Sequence, residues 1–63
     1  MTNDARGGFL TVAEVAVQLR VSTMTVYRLI RSEDLTAARI GRSYRLRQAD
    51  VDAFLDKRFT RAG

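Results

Sequence analysis

Ser22-Thr23-Met24-Thr25-Val26-Tyr27-Arg28-Leu29-Ile30-Arg31 is the stretch from which the rest of this chain can be placed. Ser22 is a good N-cap, because its hydroxyl can accept from an orphan amide one turn into a helix. Val26, Leu29 and Ile30 then fall at i, i+3 and i+4, the spacing of an inward helical stripe, and the pattern ends near Arg31 or Ser32. Upstream, Thr11 and Glu14 have the spacing of a capping box, followed by Val12, Val15, Ala16 and Leu19 at i, i+3, i+4 and i+7. A first helix therefore runs to Leu19 or Arg20, and about three residues link it to the second. Val21 reads as buried between them. Two short helices so joined form an αα corner, of which the helix-turn-helix is one version.

Beyond Leu35 the period changes from helical to alternating. Ala38 and Ile40 alternate with Arg39, and Tyr44 and Leu46 alternate with Arg45. Gly41-Arg42-Ser43 between them reads as a three-residue turn, which makes the segment a β-hairpin. Such a hairpin is too short to stand alone in water, so Ile40 and Leu46 are expected to dock on the helices. Val51, Phe54 and Leu55 mark a third helix from Gln48 to Arg58. Its start lacks Ser, Thr or Asn, and Asp50 in the first turn favours the dipole without replacing a cap. The expected fold is mainly α with a small β-hairpin, in the order helix, helix, hairpin, helix: a winged helix-turn-helix. It should occupy residues 9–59, between a flexible arm at 1–8 that ends in Gly7-Gly8 and a flexible tail at 60–63.

At 63 residues the chain allows one small domain, in which folding buries roughly 60% of the unfolded surface. It has no Cys and no His, so neither a disulfide nor a Cys/His zinc site can brace it, and the core must come from the 46% of residues that are apolar. The same absences remove most nucleophile–base pairs, and the composition argues against an enzyme. Asp52 and Asp56, four apart on the third helix, have the spacing of paired carboxylates but also that of an ordinary solvated face. No metal, cofactor or small-molecule effector is expected. No apolar run reaches the ~18 residues of a membrane span and no signal peptide opens the chain, so the expectation is a cytoplasmic, nucleoid-associated protein with no membrane partner.

Charge gives the first positive indication of a partner. Eleven basic residues face seven acidic ones, a net +4, and ten of the eleven are Arg. The excess is local: residues 20–47 carry Arg20, Arg28, Arg31, Arg39, Arg42, Arg45 and Arg47 against only Glu33 and Asp34. A basic middle suits a polyanion, and Arg suits bidentate contact with phosphates or guanine edges. With about 100° between successive helical residues, an inward Val26, Leu29 and Ile30 turns Met24, Tyr27, Arg28 and Arg31 outward. Arg28 is the first candidate for reading a base in a major groove, flanked by Thr23 and Thr25 near the helix start. Ser22 and the amides beside it, with Arg20, Arg39 and Arg45, are candidates for phosphates. Arg42, at the hairpin tip with Gly41 and Ser43, is the candidate for a narrow minor groove. Each has a plainer alternative: a solvated Arg, a Met24 partly covered by the hairpin, a Ser22 that only caps, or hairpin charges that only discourage edge-to-edge aggregation.

Two runs, Leu10-Thr11-Val12-Ala13-Glu14-Val15-Ala16 and Val21 to Ile30, resemble the excisionase-type, MerR-like winged helix-turn-helix family. Arg39-Ile40-Gly41-Arg42-Ser43-Tyr44-Arg45-Leu46 and Asp50-Val51-Asp52-Ala53-Phe54-Leu55 are similar to its hairpin and last helix, so the likeness covers nearly all of residues 9–56. The resemblance implies a second helix in the major groove and a wing, here Arg42, in the minor groove of double-stranded DNA. It further implies a DNA-bending excisionase that steers an integrase toward excision, or a small BldC-like transcription regulator. Both kinds bind direct repeats cooperatively, as weak monomers that associate head to tail on DNA. Two features depart from the family pattern. Arg47 stands where a capping Ser or Pro is frequent, which would let the third helix start late, and the dimerising coiled coil and effector domain of full-length MerR regulators are not expected. A protein-interaction adaptor built on Met24, Tyr27 and the third helix is the competing class. RNA binding lacks the aromatic stacking motifs of single-strand readers.

Overall fold

The structure, a computed structural model, describes residues 8–58. The proposed tail and all but the last residue of the arm lie outside them. Strand β1 (Phe9–Leu10) leads into helix α1 (Val12–Leu19) and helix α2 (Thr23–Arg31). Strands β2 (Ala38–Ile40) and β3 (Ser43–Arg47) form the hairpin, and helix α3 (Gln48–Arg58) closes the domain. The helix, helix, hairpin, helix order is as expected, and the chain is a mainly helical winged helix-turn-helix.

Both helices of the corner begin and end on defined chemistry. At α1 the Thr11 hydroxyl accepts from the Glu14 amide at 3.1 Å, while the Glu14 carboxylate accepts from the Thr11 amide at 2.8 Å. The helix ends as Arg20 turns left-handed (φ 60), with Arg20 N–H donating to Val17 O at 3.1 Å and Val21 N–H to Ala16 O at 3.0 Å. The end of α2 repeats the device with Glu33 at φ 67, whose N–H donates to Ile30 O while Asp34 N–H donates to Leu29 O. Neither left-handed position is glycine. Val21 is 39% exposed rather than buried, because its backbone closes the α1 terminus and its side chain is left at the surface of the turn.

The core joins all the elements except β2. Leu10, Val12, Val15, Ala16, Val26, Leu35, Leu46 and Val51 are buried, and Leu19, Leu29, Ile30, Tyr44, Phe54 and Leu55 pack around them. Leu35 and Leu10 are core residues that helical periodicity did not single out: Leu35 follows α2 in a loop, and Leu10 lies in a strand too short to alternate. That strand turns the hairpin into a three-stranded antiparallel sheet in the order β1-β3-β2, with Leu10 paired to Leu46 and Phe9 to Arg47.

The hairpin register departs from expectation. Ile40 pairs with Ser43, so the turn is the two residues Gly41 and Arg42, not three. Gly41 alone in the turn has positive φ (63), the pattern of a type II′ turn, whose twist matches the flanking strands. Shortening a turn by one residue moves every residue of one strand to the other face relative to its partner. Ile40 therefore shares a face with Ser43 and Arg45 and stands 52% exposed instead of docking on the helices, while Leu46 is fully buried. Arg39 shares the other, helix-facing side with Tyr44.

Helix α3 follows β3 without a break, so the missing cap does not delay it. Arg47 Nε instead donates to the Asp50 carboxylate at 3.0 Å, and reciprocal 2.9 Å amide bonds between Gln18 and Gln48 brace its start against α1.

Candidate nucleic-acid interface

The outer face of α2 is built as the inward stripe requires. Val26 is fully buried, Leu29 and Ile30 are half-buried, and Thr23, Met24, Tyr27, Arg28 and Arg31 are exposed. Met24 is 68% exposed, so the hairpin does not cover it. Thr25 is half-buried and committed to the cap: its amide donates to Ser22 Oγ at 3.1 Å, and the two hydroxyls lie 3.1 Å apart. The Ser22 hydroxyl is thus an N-cap first, which leaves the first-turn amides of Thr23 and Met24 as the polar groups at the start of α2.

Two shallow depressions lie on this side of the molecule and meet at Tyr27. One, of ≈ 350 Å³, runs between the start of α1, Tyr27 and the hairpin segment from Arg42 to Arg45. The other, of ≈ 230 Å³, is lined by Met24, Tyr27, Arg28 and Arg31. Tyr27 is therefore the shared border between the basic face of α2 and the wing. Arg28 lines one depression and Arg42 the other, with Tyr27 common to both.

The two depressions are lined by four arginines, Arg28, Arg31, Arg42 and Arg45. Among the described residues the single ion pair is Arg47 with Asp50, so no carboxylate there neutralises Arg28, Arg31 or Arg42. Arg42 projects from the exposed turn beside Gly41, with Ser43 as the first paired residue of β3. Arg20 is exposed in the left-handed turn between the helices.

The two remaining hairpin arginines do not act as a pair. They lie on opposite faces of the sheet, as the two-residue turn dictates. Arg39 places its guanidinium 5.7 Å from the Tyr44 ring centroid and donates Nε to Gly41 O at 3.4 Å. Arg45 is half-buried and donates Nη1 to the Tyr44 carbonyl at 3.2 Å. Strand β1 covers only Leu46 and Arg47, so β3 from Ser43 to Arg45 is unpaired on that side, and Arg45 screens it.

Tyr44 is the residue that reading along the sequence left out of the site. Its ring stands 6.1 Å from that of Tyr27, tilted by 59°. The available signal was cross-strand: a two-residue turn makes Arg39 and Tyr44 direct partners. The start of α1 was likewise read only as a cap, yet it walls the larger depression.

Residues 9–58 match the helix-turn-helix domain family, and the chain belongs to this excisionase-like class of helix-turn-helix proteins. It is 48% identical over 59 residues to "Putative DNA-binding protein Rv0500A" of Mycobacterium tuberculosis (strain ATCC 25618 / H37Rv), covering 94% of this chain and 76% of that protein. The same identity and coverage hold for "Putative DNA-binding protein MT0521" of strain CDC 1551 / Oshkosh. No solved structure matches the chain. No helix among the described residues is long and apolar enough to cross a membrane.

Proposed function

We propose that this chain is a non-enzymatic, double-stranded DNA-binding protein of excisionase type, which lays α2 in a major groove and the hairpin wing in the adjacent minor groove. The observation that carries the reading is the place of Tyr27: the basic depression on α2 and the one beside the wing tip share it as a border residue. The naming of the two mycobacterial relatives as DNA-binding proteins supports the same partner.

On this reading Arg28 pairs with guanine O6 and N7, with Thr23, Met24 and Arg31 around it, and the Tyr27 hydroxyl reaches the phosphate between the grooves. Arg42 enters the minor groove, where A·T-rich sequence is narrow and strongly negative. Arg20 and the amides at the start of α2 hold phosphates. Binding bends the duplex and repeats head to tail along direct repeats, and an integrase is the protein partner that an excision role requires. A small transcription regulator of BldC type would use the same contacts at promoters.

A footprint of the chain on DNA flanking its own gene tests the reading. Protection inside an attachment site is the outcome expected for excision. Protection over a promoter assigns the regulator role instead, and footprints that lengthen in steps of about one helical turn as protein rises support cooperative assembly. Binding insensitive to salt would sink the DNA reading, because phosphate neutralisation makes affinity fall steeply with ionic strength.

A further inference from the structure

We propose that Tyr44, acting with Tyr27 and Arg39, is a positioning residue that fixes the angle between the wing and α2, and so the span between the two DNA contacts. The proposal rests on the two-groove reading above and names what sets its geometry.

The wing has little else to hold it. Its far strand, β2, contributes nothing to the buried core, and Ile40 is 52% exposed. Strand β1 supports β3 only at Leu46 and Arg47. Between there and the turn the hairpin is a two-stranded ribbon, an arrangement of marginal stability in water. A tip carried on such a ribbon would sample many angles to the helices, and each would place Arg42 at a different distance from Arg28.

Two side chains on the helix-facing side of the ribbon, Tyr44 and Arg39, restrain it together with Tyr27 of α2. The Tyr44 ring lies 6.1 Å from the Tyr27 ring at a 59° tilt, inside the range for a favourable edge-to-face aromatic pair. Arg39, the direct cross-strand partner of Tyr44, sits 5.7 Å from the same ring, within reach of a cation–π attraction. The Nε of Arg39 also donates to the Gly41 carbonyl, which extends the contact into the turn that carries Arg42. The chain of contacts therefore runs from α2 through β3 and β2 to the wing tip. Tyr27 belongs to both depressions on the basic surface, so the strut is anchored at the point where the two contacts meet. Arg39 thus serves the wing's orientation, not a phosphate.

The test uses the full chain and the duplex that its own footprint defines, made with either an A·T or a G·C flank under the wing. Guanine N7 methylation reports the major groove, hydroxyl-radical cleavage reports the minor groove, and amide order of Arg42 and Ser43 is measured by NMR on free protein. Tyr44→Leu should keep guanine protection, lose about two- to tenfold of the A·T preference, the range an aromatic pair supplies, and show a more mobile tip. Tyr44→Phe, which keeps the ring, should match the parent chain. Arg39→Gln should show a smaller loss of the same kind, and it supplies the comparison should Tyr44→Leu fail to fold. Equal loss of both protections, no loss of either, or a Tyr44→Phe variant that behaves like Tyr44→Leu overturns the proposal. If the parent chain protects no duplex, the DNA reading fails separately. The tip order of the free variants still judges the strut, and unchanged order overturns it.

Discussion

The αα corner and the hairpin wing carry comparable arginines on very different supports. In the corner, α1 and α2 are each capped at the start, closed by a left-handed turn at the end, and anchored through Val12, Val15, Ala16 and Val26. In the wing, only Leu46 of the two hairpin strands is fully buried, and the tip is held by a two-residue turn and side-chain contacts around Tyr44. The helix face is thus presented by a rigid body, and the wing by a ribbon whose direction depends on a few surface residues. A protein this small gains reach by extending the ribbon past its core and keeps accuracy by strutting it.

The largest expected effect tests the register that separates the two faces of the wing. Leu46→Ala should cost about 2–5 kcal/mol in urea unfolding, a large share of a stability on the order of 0.05–0.15 kcal/mol per residue. Ile40→Ala should stay within about 0.5 kcal/mol, as exposed substitutions do. Similar losses at the two positions would mean that the hairpin pairs one residue out of step.

Next comes the division of labour in binding. Arg28→Ala should weaken a specific site by about 1–3 kcal/mol and relax base preference at one position. Arg42→Ala should act mainly on sites with an A·T flank, read by titration of the two flanks. An Arg42 variant that loses the same factor on both would reduce the wing to a general phosphate contact.

A smaller effect separates capping from ligand binding at the start of α2. Ser22→Ala should cost about 1 kcal/mol of stability, the usual value of an N-cap, while Ser22→Asp should retain stability and weaken DNA binding by placing a carboxylate where a phosphate is to sit. Tighter binding by Ser22→Asp would remove the phosphate from that helix start.

The smallest effect concerns the left-handed turns. Relief of the left-handed backbone should make Arg20→Gly and Glu33→Gly each more stable by about 0.5–1 kcal/mol in thermal unfolding. Their effects on DNA should diverge: loss of Arg20 flattens the salt dependence by about one phosphate, whereas loss of Glu33 does not. Identical salt slopes for the two variants and the parent would show that Arg20 stays in its strained position for a reason other than DNA.

Much of the corner was legible because its signals are local. Thr11 with Glu14, the N-cap Ser22, and the stripe Val26, Leu29, Ile30 each act within one or two helical turns, and the outward set Met24, Tyr27, Arg28 and Arg31 follows by rotation alone. The hairpin's existence was equally legible from Gly41 between alternating segments. Its register was not, because a turn of two residues and one of three leave the same alternation in each strand and differ only in how the strands face one another. Ile40 and the split between Arg39 and Arg45 both turn on such relations. Strand β1 was hidden for a similar reason: two residues cannot display a period.

What the sequence determined by itself is the three helices and the hairpin, the caps that start α1 and α2, and the sign of the charge, since each depends on neighbours a few residues away. Tertiary structure alone decided that Leu10 and Leu35 join the core, that Ile40 does not, and that Tyr44 of the sheet meets Tyr27 of α2. Those outcomes depend on which strand edges and helix faces come together in space. Burial and aromatic contact are properties of pairs of surfaces, and such pairs exist only once the chain has closed on itself.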